Sequence, residues 1–236
     1  MKSFTQIIIV GVLMFGCTAQ QIQQTLDSYL GSDAVTTEEV AKGLKEALVK
    51  GISEGSANAS KLNGYLGNPQ IKIPFPPDVK KVEDKLRSIG LDKQVDQFIE
   101  TLNHGAEEAA KEAKPIFVSA IQSMTIQDAW NILKGSDDAA TQYLVKTTSD
   151  QLRGKFKPVI SQSLDKTNAT KYYGDIINTY NKIPFVDKVD PDLENYATQK
   201  ALDGLFFLIA KEELKIREDP LARTTELLKR VFKEQD

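Results

Sequence analysis

The chain has 236 residues, enough for one large domain or two small ones. Its composition, 41% hydrophobic and 27% charged, is that of a globular protein with a sizeable core. A net charge of −3 and a pI near 5.4 argue against nucleic acid or anionic lipid as the main partner.

The first residues, "MKSFTQIIIVGVLMFGC", carry Lys2, an apolar run from Ile7 to Phe15, and then Gly16 and Cys17. The run is too short to cross a bilayer as a helix and reads as the apolar part of a secretory signal. Cys17 is the only cysteine, so it has no partner within the chain for a disulfide. Its place, after a small residue at the end of the apolar run, resembles the bacterial lipoprotein signal, in which the cysteine becomes a lipidated N-terminus. Met14 and Phe15 depart from the usual pattern there. Residues 1–16 are therefore expected to be a signal peptide, 17–33 a polar tether, and 34–236 a helical domain. The expected address is the cell envelope, facing the periplasm and held by a lipid on Cys17. Ordinary cleavage after Ala19, giving a soluble periplasmic protein, is the alternative.

After the tether, apolar spacing predicts helices almost throughout. Val40, Leu44, Ala47, Leu48 and Ile52 recur on one face, behind Thr36 and Glu39 at capping-box spacing. Val79, Val82, Leu86 and Ile89 follow a proline pair that suits a first turn, and Gly90 suits the end. Val95, Phe98, Ile99 and Leu102 define the next helix, which Pro115 should kink or break. Thr125 and Asp128 predict a second capping box ahead of Ala129, Trp130 and Leu133, with Gly135 as the stop and Ser136 as the next start. Pro158 is expected near the start of a further helix. "GLFFLIA", apolar on every side, predicts a central buried helix. Leu221, Leu228 and Phe232 form the stripe of a closing helix. The fold class is all-α, one domain of about eight to ten helices.

Two segments look extended, "QIKIPFPP" and "NKIPFVDKV". Ile73 and Ile183 each precede a proline, which pushes them away from helical backbone. They belong to a larger likeness: "ANASKLNGYLGNPQIKIPF" (57–75) and "TNATKYYGDIINTYNKIPF" (167–185) agree at nine of nineteen positions. An ancient duplication, with halves 36–134 and 136–233, would produce this. So would a helical domain that uses the same connector twice. In either case the two KIPF segments are expected to be similar straps, with Ile73 and Ile183 near each other as a short antiparallel pair.

The stretches "GYLGNPQIKIPFP", "LNHGAEEAAKEAKPIF", "AIQSMTIQDAWNILKGSDDAATQYL" and "KALDGLFFLIAKEELKIREDP" resemble the bacterial domain-of-unknown-function family DUF4197. The likeness runs from about Ala34 to Phe232. It implies a helical, exported and often lipid-anchored protein, and it implies no activity.

Catalytic and metal sites are poorly supplied. His104 is the sole histidine, with Glu107 and Glu108 on its helix face. One histidine cannot build a di-iron pair of Glu-x-x-His units, nor a zinc site of the usual Cys and His ligands. No nucleophile elbow or phosphate loop occurs. No catalytic residue, metal or cofactor is expected. The candidate polar cluster beside apolar surface is Asn103, Glu107, Asp128, Tyr143, Asp203, Glu212, Arg217 and Arg223. Interhelical ion pairs, such as Glu212 or Glu213 with Arg217 or Arg223, account for it; so does a polar ligand pocket between helices. The expected function is binding of an envelope protein or a small ligand by a lipid-anchored protein. An enzyme that uses carboxylates on an envelope component is the alternative.

Overall fold

The computed structural model describes residues 36–185, 187–219 and 229. Among them are eight α-helices and no strand: α1 Thr37–Ser60, α2 Lys80–Ser88, α3 Asp92–Ala110, α4 Ala113–Gln122, α5 Ile126–Leu133, α6 Ala139–Asp165, α7 Ala169–Tyr180 and α8 Leu193–Glu218. A 3-10 turn, Pro77–Val79, leads into α2. The expected closing helix, the tether and Cys17 lie outside the described residues.

Four long helices carry the core. α8 is the hub, packed by α1, α3 and α6, while α3 lies along α6. Leu44 and Ile52 of α1, Leu102 of α3, and Leu152 and Phe156 of α6 are fully buried. The apolar stretch of α8 adds Leu205, Leu208 and Ile209. Phe206 meets Phe117 of α4 edge to face, with ring centroids 5.7 Å apart. The short helices cover this frame: α4 and α5 against α1 and α6, α2 on α3, and α7 across α6 and α8.

Local signals place most boundaries. The capping box at α5 forms as expected: the Thr125 hydroxyl accepts from the Asp128 amide, and the Asp128 carboxylate accepts from the Thr125 amide at 3.0 Å. Pro115 falls in the first turn of α4, after α3 has ended at Ala110. Asp192 caps α8 by accepting from the Asn195 amide at 2.8 Å. Pro158 differs from expectation. It sits inside a continuous α6, on an outer face. The carbonyl it crowds belongs to Gly154, which has open space around it, so the ladder can open there without disturbing the core.

The two KIPF segments are not alike. The first is extended but unladdered, with Ile73 and Phe75 buried. The second is a turn; Ile183 is half exposed, and Phe185, at φ 62°, is wholly exposed. Upstream the contrast continues, since Gly64 lies in a run of turns and Gly174 lies inside α7. The nineteen matched residues therefore fold in two different ways. The cause is tertiary. Asn103, thirty residues after Ile73, offers both a donor and an acceptor to that strap.

Candidate functional site

Helix α3 holds the connector that follows α1. The Asn103 side chain accepts from the Ile73 amide and donates to the Ile73 carbonyl, both at 2.8 Å, and so stands in for a neighbouring strand. One turn on, Glu107 Oε1 accepts from the amides of Tyr65 and Leu66 at 3.0 and 3.1 Å. Its Oε2 lies 2.7 Å from His104 Nδ1. That contact, helped by Glu100 at 3.5 Å, raises the His104 pKa above its ordinary value. Tyr65 completes the clamp, donating from its hydroxyl to the Ala201 carbonyl at 2.5 Å; burial pushes its pKa far up. Its ring fits against Gly204, where a Cβ would come within 2.7 Å of it.

A second buried polar group joins α5, α6 and α8. Glu213 Oε1 accepts from the Ala140 amide at 2.9 Å; Oε2 accepts from the Thr141 amide and hydroxyl, each at 2.8 Å. The carboxylate thus sits on the free amides at the start of α6, where the helix dipole favours an anion. Arg217 donates to Glu213 at 2.8 Å and, from the same nitrogen, to the Ile132 carbonyl at 2.9 Å near the end of α5, where a cation is favoured. Both side chains are about 95% removed from solvent.

The described residues form several concave features: an open groove of about 620 Å³ along α1, smaller hollows beside α8, and a more enclosed one between α2, α3 and α7. The last is a cleft of about 400 Å³. Leu86, Val95 and Ile176 form its apolar walls. Its floor is an aromatic row: Phe75 and Phe98 are 5.0 Å apart between centroids, and Phe98 stacks on Tyr173 at 6.2 Å with planes 20° apart. Gln94, Gln97, Thr101 and Thr167 bring hydrogen-bonding groups to it. Lys166 is the sole charged residue among the described residues that line it.

Comparison with known proteins places the chain. A family model described as "Protein of unknown function (DUF4197)" matches residues 34–233. The chain belongs to this family. No curated protein and no solved structure matches it.

For this DUF4197 chain, the polar residues singled out by sequence occupy several separate places. Asn103 and Glu107 share the α3 clamp, and Arg217 pairs with Glu213. Asp128 serves the α5 cap, where the Thr125 hydroxyl holds its carboxyl below the usual range. Tyr143 is half-buried; burial raises its pKa. Asp203 is exposed, accepts from Gln199 at 2.7 Å and lies 3.6 Å from Lys200. Glu212 lies 3.6 Å from Lys215. Arg223 lies outside the described residues. None of the seven described residues lines the α2–α3–α7 cleft; Glu212 and Asp203 each line a smaller hollow beside α8. Sequence reasoning passed over the cleft because its residues come from four separate segments, each an ordinary apolar stripe. The available signal was aromatic: Phe75, Phe98 and Tyr173 meet in one row, with Phe75 and Tyr173 buried and Phe98 half-buried. Among the described residues no three His, Cys, Asp or Glu side chains cluster to hold a metal, and no helix is long and apolar enough to cross a membrane.

Proposed function

We propose that the protein is exported, is anchored in the cell envelope by a lipid on Cys17, and works by binding a small amphipathic molecule in the α2–α3–α7 cleft. The cleft is the observation that carries the binding role. At about 400 Å³ it falls in the range of small-molecule sites, with apolar walls and a few convergent polar groups. The buried carboxylates favour binding over catalysis. Glu107 and Glu213 commit their oxygens to backbone amides and to neighbouring side chains, which leaves little capacity for moving a substrate proton. The apolar run Ile7–Phe15, followed by Gly16 and Cys17, supports export and anchoring.

Titration with the neutral fluorescent probe N-phenylnaphthylamine tests the binding role. Saturable enhancement is expected in the wild type and should be abolished by Ile176→Trp, which fills the cleft. Absence of binding, or binding that survives Ile176→Trp in a folded variant, would overturn it. Metabolic labelling with palmitate tests the anchor: label is expected on the wild type and not on Cys17→Ala. An unlabelled wild type in the membrane fraction would sink that part.

A further inference from the structure

Resting on the cleft reading, we infer that the ligand is an anionic amphiphile whose charged head sits at Lys166 and whose apolar body lies on the Phe75–Phe98–Tyr173 row. The charge pattern selects this class. Of the described residues that line the cleft, none is acidic and one, Lys166, is basic. Lys166 makes no ion pair among the described residues, whereas the other hollows that hold lysines also hold acids. It stands at the end of α6, and the first turn of α7 follows through Thr167 and Ala169 on the same rim. That turn has no side-chain cap, so its first amides can donate to a bound anion, while the carbonyl end of α6 at Lys166 offsets its dipole. The Arg87 guanidinium of α2 does not line the cleft and is taken up by Glu83 and Asp96 at 3.0 and 2.9 Å.

The Thr101 hydroxyl already donates to the Gln97 carbonyl at 2.8 Å, but Gln94 and Gln97 of α3 bring neutral side-chain amides to the cleft. These groups can hold the second oxygen of a carboxylate or phosphate without adding a repelling charge. The Phe75 and Phe98 rings of the floor and the Leu86, Val95 and Ile176 side chains of the walls offer a polar body no donors or acceptors. A neutral lipid would gain the floor and waste the lysine. A free inorganic anion would gain the lysine and leave the floor wet. An amphiphile with a single anionic end satisfies both.

The test is displacement of N-phenylnaphthylamine by dodecanoate, dodecyl phosphate and dodecanol, below their micellar concentrations, from the full chain carrying Cys17→Ser so that no attached lipid competes. In the wild-type cleft the two anions are expected to displace the probe at concentrations about fivefold lower than the alcohol does. The order of the two anions identifies the head group. Lys166→Met should bring the anions level with dodecanol, and Lys166→Glu should place them behind it. Binding of the neutral probe itself should stay unchanged in both variants. Equal displacement by all three in the wild type, or an anion preference that survives Lys166→Met, overturns the inference while the cleft reading stands. Failure of the neutral probe to bind the wild type overturns both.

Discussion

Arg217 Nη2 and Glu213 Oε1 lie 2.8 Å apart, one turn from each other on α8, and between them they terminate two other helices. The pair is not symmetric. Without Arg217, Glu213 still holds two amides and a hydroxyl. Without Glu213, Arg217 is a buried cation that keeps the carbonyls of Ile132 and Leu133 but loses the carboxylate to which two of its nitrogens donate.

Glu213→Ala is therefore expected to destabilise the fold by about 3–5 kcal/mol, the range for stranding one member of a buried pair. Arg217→Met should cost less, roughly 1–3 kcal/mol, because the remaining anion stays hydrogen-bonded and the methionine refills the space. Urea unfolding of the two variants checks the order. A larger loss for Arg217→Met would show that the arginine, not the carboxylate, holds the junction.

Asn103→Leu removes both hydrogen bonds to Ile73 and leaves a buried amide and carbonyl unpaired. The expected cost is about 2–4 kcal/mol. The local signature is faster hydrogen exchange at the Ile73 amide, well beyond that at the Leu152 amide in α6. Asn103→Asp keeps the acceptor and loses the donor, so it should protect the Ile73 amide better than Asn103→Leu does. Equal exchange in the two variants would rule out the strand-like role.

His104 predicts a pH dependence. Its pKa is raised in the folded state by the hydrogen bond to Glu107, then by Glu100. A base whose folded pKa exceeds its unfolded value contributes stability that is fully present below the unfolded value, near pH 6.5. That contribution is lost as pH rises through the raised folded value. The stability difference between the wild type and His104→Gln should thus be largest below about pH 6.5 and shrink above it. Melting temperatures of both proteins across that range provide the check, and a difference that grows with pH would contradict the His104–Glu107 contact.

Gly204→Ala should be costly for a helical glycine. The new Cβ would lie 2.7 Å from the Tyr65 ring and 3.1 Å from Ile71 Cβ. Helix propensity alone would favour alanine by about 1 kcal/mol, but overpacking here is expected to win, with a net loss of about 1–3 kcal/mol. Tyr65→Leu should couple to it in a double-mutant cycle, so that the pair loses less than the sum of the two single changes. Strict additivity would mean that the ring is not what the glycine accommodates.

The sequence by itself determined the local grammar of this protein. Apolar residues at helical spacing set α1, α3 and α8, because burying one face of a helix requires that spacing wherever the partner lies. Thr125 with Asp128 marked a helix start because a capping box joins residues three apart. The family likeness was legible for the same reason, since it rests on contiguous stretches. Tertiary structure decided what depends on residues far apart in the chain. It gave the same KIPF letters two conformations: Asn103 of α3 bonds the first strap at Ile73, while the second follows α7 as a turn with Ile183 and Phe185 exposed. It sent the candidate polar residues to separate junctions, because each buried charge went to the helix end or partner that best compensated its desolvation. It also made the cleft, whose walls come from α2, α3, α7 and a connector and meet only when those elements pack.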